Sequence, residues 1–237
     1  AMEGLVAFFI ESTFLGIWIF GWDRIPKLAH LASIWLAAFG VVASAYFIIA
    51  ANSFMQHPVG VRFNPERGRA ELTSIWAVLT NSTTLAAFPH TVTAAFVTAG
   101  TFVAGIAGWW MVRASRTGAD VEAAAYRPAF RLALVTLAVA GIGVAVSGDV
   151  QAKLMFEQQP MKMAAAEALC HTERSAGFSV FAVGDVGEEC DVRTLSIPGL
   201  TSWLATGDAD ATIKGVEDLQ REYQARYQGD GPAMDFR

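Results

Sequence analysis

Charged residues are scarce in this sequence of 237 residues. Asp, Glu, Lys and Arg together make up 16% of it, against about 25% in an ordinary soluble domain. Hydrophobic residues make up 54% and come in long blocks, which predicts a membrane protein and not a soluble protein with a large core. The net charge of −5 is mild and argues against a nucleic-acid partner.

Cysteine is also scarce, with only Cys170 and Cys190 in the polar second half. Neither lies in a paired zinc-binding motif. The two thiols either form a disulfide in an oxidising compartment or are unrelated, and their spacing leaves both possibilities open. A basic segment is missing before the first apolar run, so we do not expect a signal peptide. Because the chain opens inside that run, we expect it to be a piece of a longer polypeptide.

Four runs carry few or no charges and are long enough to cross a membrane. They predict an all-α membrane protein in which residues 1–149 supply four transmembrane helices of a larger bundle. The predicted helices cover about residues 3–22, 29–53, 85–113 and 129–148. Tryptophans at the ends of the first and third runs fit the aromatic belt of a membrane protein.

The connections between the runs predict an orientation. Six cations follow the first and third runs, whereas three lie between the second and third. The positive-inside rule then places residues 23–27 and 113–131 in the cytoplasm, and residues 54–84 and everything after residue 149 outside.

Two polar stretches have local patterns of their own. Residues 66–80 contain an amphipathic patch that we expect to form a short interfacial helix. Residues 150–237 predict an extracytoplasmic region with helices at Met161–Cys170 and Ile213–Tyr227 and a strand at Phe178–Val183.

The first run carries two carboxylates, Glu3 and Glu11. A charge at the bilayer centre costs roughly 2.5–3.5 kcal/mol even on the lenient insertion scale, so Glu11 is expected to face protein, a cofactor or water. Glu3 lies about 12 Å away along the helix, turned by about 80°, so the two acids can line one path. Glu3 at a helix end also has a simpler interpretation, since acids are favoured there. Ser12 and Ser44 either extend a proton path from Glu11 or only hydrogen-bond within their own helices.

Three further residues are candidates for chemistry. His90, near one end of the third run, has the side chain that most often ligates haem iron, although it can equally hydrogen-bond to a neighbouring helix. Lys162 and Glu167 are five residues apart, which is not an ideal helical ion pair. They either point into one pocket that binds a polar ring with two opposite oxygens or are two solvated charges.

Five motifs, in order, resemble subunit I of the bacterial cytochrome bd quinol oxidases. They cover most of the chain, from residue 2 to about residue 200. They are Glu3-Gly4-Leu5-x-Ala7-Phe8-Phe9-x-Glu11-Ser12-Thr13-Phe14 with Phe20-Gly21-Trp22-Asp23-Arg24, then Ser44-Ala45, then Ala51-Asn52 with Met55-Gln56-x-Pro58, then His90-Thr91-Val92, and finally Lys162-x-Ala164-Ala165-x-Glu167.

The resemblance implies roles for the candidate residues. His90 is expected to ligate the iron of the low-spin haem b. Glu3 is expected to lie beside, or to ligate the iron of, the haem that reduces oxygen, which would be haem d. Glu11 is expected near the high-spin haem on the proton route, with Ser12 and Ser44 along it. Lys162 and Glu167 are the expected quinol-binding pair, and residues 150–237 the family's Q loop.

The resemblance also implies what the chain lacks and what is particular to it. The family's first two helices and its final helices, with further haem ligands, are missing from this sequence. The cysteine pair is not general to the family, and we predict that a Cys170–Cys190 disulfide staples the Q loop.

The function that the resemblance implies is that of a terminal respiratory oxidase in the bacterial cytoplasmic membrane. Quinol would be oxidised at the outer face, and electrons would pass through low-spin and high-spin haem b to haem d, where O2 is reduced to water. Protons released outside and consumed from inside would generate a gradient. Subunit II, small accessory subunits and membrane lipid are the expected partners. The alternative from the residues alone is a haem-free multi-pass transporter or proton channel that uses Glu11.

Overall fold

The computed structural model describes residues 7–185 and 191–227. The chain divides into two compact units, Ala1–Gly148 and Asp149–Arg237. We call them the N-terminal unit and the C-terminal unit.

The N-terminal unit consists of long apolar helices. Helix α1 covers Phe8–Phe20, α2 Lys27–Gln56, α3 Ile75–Leu79 and α4 Ser82–Arg116, and α5 begins at Asp120 and continues to Gln158 in the C-terminal unit. Three of these, α2, α4 and α5, are long and apolar enough to cross a membrane, and α1 is a shorter apolar helix of 13 described residues. The prediction of a mostly helical membrane protein is thereby confirmed in its coarse form. The predicted start of the first helix, at about residue 3, lies outside the described residues.

Small residues allow the helices to approach closely. A Cβ atom added at Gly40 of α2 would lie 2.9 Å from the main-chain nitrogen of Glu11 and 3.2 Å from the carbonyl oxygen of Ala7. Glycine at position 40 therefore lets the backbones of α1 and α2 meet, as small residues do in membrane helix pairs. Between α4 and α5, a Cβ at Gly100 would lie 3.2 Å from the carbonyl oxygen of Ala133.

The predicted interfacial helix within residues 66–80 is wrong in its first part. Strands β1 (Val61–Asn64) and β2 (Arg69–Leu72) form an antiparallel hairpin, with Val61 opposite Leu72, and only Ile75–Leu79 is helical. The turn explains the difference: the Asn64 side chain accepts hydrogen bonds from the main-chain nitrogens of Glu66 and Arg67 at 3.0 and 3.3 Å. Such a side-chain turn competes with helix formation.

The start of α4 is fixed by a buried asparagine. Asn81 is 2% exposed and its carboxamide oxygen accepts from the main-chain nitrogen of Thr83 at 3.0 Å, which caps the helix. Its carboxamide nitrogen donates to the carbonyl oxygens of Ser53 and His57 at 3.4 and 2.8 Å. The end of α2 is thereby tied to the beginning of α4.

The C-terminal unit mixes short helices with two-stranded sheets. Its elements after α5 are α6 (Pro160–Ala166), β3 (Glu173–Arg174), β4 (Phe178–Asp185), β5 (Asp191–Ile197), α7 (Leu200–Thr206), β6 (Thr212–Ile213) and α8 (Val216–Tyr227). Antiparallel pairs join β3 with β6 and β4 with β5, and the second pair has an irregular register between Ser179 and Phe181. The predicted strand at 178–183 is present within β4. The helix predicted at 213–227 begins later, at Val216, because Ile213 pairs with Glu173 in the β3–β6 sheet. The helix predicted at 161–170 ends earlier, at Ala166.

A small core holds the C-terminal unit together. Its buried side chains are Ala164, Leu169, Ala176, Ala205, Ile213 and Leu219, with Phe156, Met161 and Val216 packed against them. Because these residues come from α5, α6, α7, α8 and the segments between them, the core fixes the surroundings of Glu167 at the end of α6.

Candidate functional site

The predicted haem ligand His90 lies on α4 and faces α5. Its Nδ1 atom is 3.1 Å from the hydroxyl oxygen of Ser147. A Cβ atom added at the next residue of α5, Gly148, would lie 3.3 Å from the His90 ring. The glycine therefore leaves room for the imidazole beside the serine.

The hydrogen bonds of Ser147 are compatible with a proton on Nδ1 of His90. The Ser147 hydroxyl lies 2.6 Å from the carbonyl oxygen of Gly143. A hydroxyl has one proton to donate, so when Ser147 donates to Gly143 it accepts from His90, and Nδ1 carries the proton. In the neutral ring the Nε2 lone pair is then available to a metal, and this arrangement is typical of metal-ligating histidines. The donor chemistry of His90 thus fits an axial haem ligand.

Glu11 lies on α1 where that helix meets α2. The residue is half-buried, and its main-chain nitrogen is the atom that Gly40 approaches most closely. Glu3, the second predicted acid of this helix, lies outside the described residues, so its proposed place near Glu11 stays a prediction.

The two serines of the predicted proton path have different surroundings. Ser12 is exposed and its hydroxyl donates to the carbonyl oxygen of Phe8 at 2.8 Å, within its own helix. Ser44 is half-buried on α2, one helical turn after Gly40. Ser44 therefore lies on the face of α2 that meets α1, whereas the Ser12 hydroxyl has the local bond that the simpler interpretation expected.

Lys162 and Glu167 lie at the two ends of one short helix, and their side chains have unlike surroundings. Lys162 is exposed and Glu167 is half-buried. Among the residues that the structure describes, no ion pair joins them. The prediction that both point into one pocket therefore remains open.

The carboxylate of Glu167 is held by β4 and α7. Its Oε2 atom accepts from the main-chain nitrogen of Ser179 at 2.9 Å and from the hydroxyl of Thr201 at 3.3 Å. The Ser179 hydroxyl donates to the main-chain oxygen of Glu167 at 2.6 Å. Neither Ser179 nor Thr201 was a candidate from sequence, because no motif connects them to residue 167.

Asp149 lies inside α5, close to the boundary between the two units. Its carboxylate pairs with the ammonium of Lys153 at 2.8 Å, one turn further along the same helix.

Cys170 is 8% exposed, and no free cysteine occurs in the described ranges. Cys190 lies outside those ranges, so the Cys170–Cys190 disulfide stays a prediction.

A cleft of about 670 Å³ opens in the C-terminal unit between α5, α7 and α8. Its apolar side chains include Phe156 and Leu219. Its charged side chains are of both signs: Lys153, Glu157, Lys214, Glu222 and Arg226. Neither Lys162 nor Glu167 lines it. The cleft therefore does not mark the predicted quinol-binding pair.

The fold and these side chains define a class: a multi-pass helical membrane protein with a half-buried histidine between two long helices, followed in the chain by a small polar unit. A family model for cytochrome bd terminal oxidase subunit I matches residues 1–228. The chain belongs to this family.

Curated relatives carry the same family name. Cytochrome bd ubiquinol oxidase subunit 1 of Bacillus subtilis (strain 168) is 40% identical over 228 residues, which cover 96% of this chain and 47% of that protein. Cytochrome bd-II ubiquinol oxidase subunit 1 of Escherichia coli (strain K12) is 38% identical over 229 residues, covering 96% of this chain and 43% of that protein. The chain thus spans about half the length of the curated relatives it matches.

A solved structure has the same fold. The bd oxidase from Geobacillus thermodenitrificans superimposes with a TM-score of 0.71 at 30% identity, covering 92% of this chain and 48% of that chain. The resemblance inferred from the five motifs is confirmed by these comparisons.

Proposed function

We propose that this chain is the part of a terminal quinol oxidase that holds the low-spin haem b through His90 and the quinol through Lys162 and Glu167. The observation that carries the proposal is the hydrogen bond between His90 and Ser147, since it leaves Nε2 free to ligate iron. Haem bound there would supply one-electron redox chemistry, which a two-electron donor such as quinol needs for stepwise oxidation.

At the quinol, the residues of this chain would bind and orient a ring with opposite hydroxyl groups. Glu167 accepts two hydrogen bonds at Oε2, and a carboxylate has further acceptor capacity at its other oxygen. That oxygen would accept a hydrogen bond, and then a proton, from one quinol hydroxyl. The ammonium of Lys162 would bind the oxygen at the opposite end of the ring.

In the membrane, Glu11 is proposed to relay protons toward the site where oxygen is reduced. Its half-buried place against α2 supports this, because an ionisable residue in a membrane helix is a functional candidate by default. Ser44 on the facing helix is the proposed next group, and Ser12 requires a change of its local bond to take part. Glu3 is proposed beside the second haem b or haem d.

The complete enzyme would oxidise quinol outside and reduce O2 to water with protons from the cytoplasm, in complex with subunit II in the bacterial inner membrane. Two curated relatives are named ubiquinol oxidases, and a third, at 28% identity over 218 residues, a putative menaquinol oxidase. Either quinol class is therefore a suitable substrate for testing. The family membership gives the haem-free transporter no support.

The test is the visible spectrum of the complete complex after His90→Ala. We expect the bands of the low-spin haem to disappear, whereas His57→Ala, a histidine of the connection after α2, should leave them intact. A complete complex without haem, or low-spin bands unchanged in His90→Ala, would contradict the proposal.

A further inference from the structure

Three hydrogen bonds connect Glu167 to other segments of the C-terminal unit. The main-chain nitrogen of Ser179 and the hydroxyl of Thr201 both donate to Oε2, and the Ser179 hydroxyl donates to the main-chain oxygen. Among the described residues, no donor contacts Oε1. Oε2 is thus the carboxylate oxygen that described protein donors hold.

The backbone at this point also has an unusual conformation. Ala168, directly after Glu167, has a φ of 53°, in the left-handed region that residues with a side chain seldom adopt. The main-chain nitrogens of Ala168 and Leu169 donate to the carbonyl oxygens of Ala165 and Ala164 at 3.1 and 2.8 Å, which is how a helix ends at such a residue. Glu167 is therefore placed at an abrupt helix end, where its main chain is fixed on both sides.

Thr201 is the side chain that connects this carboxylate to α7. It is 1% exposed, and its single hydroxyl proton lies within reach of two acceptors, Glu167 Oε2 at 3.3 Å and the carbonyl oxygen of Gly177 at 3.1 Å. Hydrogen bonds to a charged acceptor are stronger than those to a neutral one. A buried hydroxyl within reach of both the carboxylate and the carbonyl of Gly177, the residue before β4, restricts the rotation of that carboxylate.

We propose that Thr201 is a positioning residue for quinol binding: its hydroxyl, with the main-chain nitrogen of Ser179, holds Oε2 of Glu167 so that Oε1 accepts from the quinol hydroxyl. This inference rests on the proposed role of Glu167. Removal of the Thr201 hydroxyl leaves the Glu167 carboxylate in place but allows it to rotate. Thr201→Val should therefore raise the KM for quinol by about 3- to 10-fold, the effect of one hydrogen bond of ordinary strength.

The experiment uses the complete purified complex, with a short-chain ubiquinol and menadiol as donors. Thr201→Val removes the hydroxyl at nearly constant volume, and Thr201→Ser keeps it. Thr212→Val, which removes an exposed threonine hydroxyl on β6, is the matched control. The haem spectrum of each variant reports assembly, and Thr201→Ala takes the place of the valine variant should valine prevent assembly.

The expected result is a raised KM in Thr201→Val, with kcat changed less, and near wild-type values in Thr201→Ser and Thr212→Val. If Thr201 acts through Glu167, the double variant Thr201→Val/Glu167→Gln should be no worse than Glu167→Gln alone, because the two residues then form one unit. Additive effects in the double variant, or failure of serine to restore the KM, would overturn the inference.

A separate outcome concerns the proposed function. If Glu167→Gln leaves the KM for both quinols unchanged, the quinol-binding role of Glu167 is wrong, and the inference falls with it. If Glu167→Gln raises the KM and Thr201→Val does not, only the positioning role of Thr201 is wrong.

Discussion

At the scale of single residues, one serine hydroxyl decides what His90 can do. When Ser147 donates its proton to the carbonyl oxygen of Gly143, it can only accept from the imidazole, and the Nε2 lone pair is available. Hydrogen-bond partners of a ligating histidine commonly set its orientation and basicity. The proposed haem site therefore depends on Ser147 of α5 as well as on the ligand His90 of α4.

Ser147→Ala should weaken haem retention without removing the ligand. We expect a loss of about 10- to 100-fold in haem affinity, the usual effect of deleting such a partner, together with a shifted midpoint potential of the low-spin haem. Ser147→Thr keeps the hydroxyl and should resemble the wild type. The measurement is haem content per polypeptide during haem extraction, with a redox titration alongside. Equal haem retention in the alanine and threonine variants would contradict the role of the hydroxyl.

The sequence singles out candidate site residues but not the residues that contact them. His90 and Glu167 stand out because of their residue types and motifs. Ser147 is 57 positions from His90 and Thr201 is 34 positions from Glu167, and contacts over such separations depend on tertiary packing. A hydroxyl in an apolar run is compatible with many local bonds, so neither partner could be selected from the sequence.

At the scale of elements, the contact between α1 and α2 depends on one glycine. A Cβ at Gly40 would lie 2.9 Å from the Glu11 nitrogen, closer than a side chain tolerates, so the helices must separate. We expect Gly40→Ala to destabilise the complex by roughly 1–3 kcal/mol, the usual range for overpacking, and to lower its thermal stability in detergent. The control is Gly16→Ala on α1, where an added Cβ meets no described atom within 4 Å. Equal melting temperatures in the two variants would show that the close contact is not important.

Two carboxyl groups of helix α8, Asp218 and Glu222, have lowered pKa values. A hydrogen bond and the charge of Lys214 hold the pKa of Glu222 below its usual 4.5, and Arg226 adds to the effect. A hydrogen bond from Thr172, together with the charge of Arg221, holds the pKa of Asp218 below its usual 3.8. Since each carboxyl has a lower pKa folded than unfolded, its contribution to stability is complete above the usual value and is lost as the pH falls through the folded value.

We therefore expect α8 to open as the pH falls below about 4.5, when carboxyl groups of ordinary pKa begin to take up protons. Amide hydrogen exchange of α8 in the intact complex, corrected for the intrinsic pH dependence, is the measurement. Glu222→Gln should open more easily at neutral pH and respond less to acid. Glu173→Gln removes an exposed carboxylate that forms no ion pair within the described part of the chain, and it should behave as the wild type. Unchanged acid sensitivity in Glu222→Gln would rule out this carboxylate as the cause.

The helices could be predicted from composition more reliably than the connections between them. The predicted spans at 29–53 and 85–113 correspond to α2 and α4, which extend a few residues further at each end. The span predicted at 129–148 is the apolar middle of α5, whose ends carry charges such as Asp120 and Glu157. Hydropathy marks the part of a helix that suits lipid and contains no signal for a polar continuation. The hairpin β1–β2 was not predicted, because its turn depends on hydrogen bonds of the Asn64 side chain, which hydropathy does not show either.

At the scale of the whole molecule, the distribution of cations predicts which side each connection faces. Residues 23–27 and 113–131 should lie in the cytoplasm and the C-terminal unit outside. A single cysteine introduced at the exposed position Thr117 should resist a membrane-impermeant maleimide in intact cells. One introduced at the exposed position Asp208 should react. The reverse labelling pattern would contradict the orientation.

The same orientation bears on the cysteines. In the oxidising outer compartment a Cys170–Cys190 disulfide would persist, and intact mass measured without reductant should lack two hydrogens relative to the reduced chain. Free thiols at both positions in protein from the cell envelope would contradict the disulfide.

The length of α5 has a further consequence for how this chain meets the lipid. At 1.5 Å per residue, its 39 residues extend for about 58 Å, whereas the hydrocarbon layer is about 30 Å thick. Nearly half of this helix therefore extends beyond the hydrocarbon layer, where its amides depend on helical hydrogen bonds and, around Phe156, on protein neighbours. The charged residues near its two ends then mark where the acyl chains stop. A lipid layer of different thickness would shift that boundary along the helix without breaking the helix.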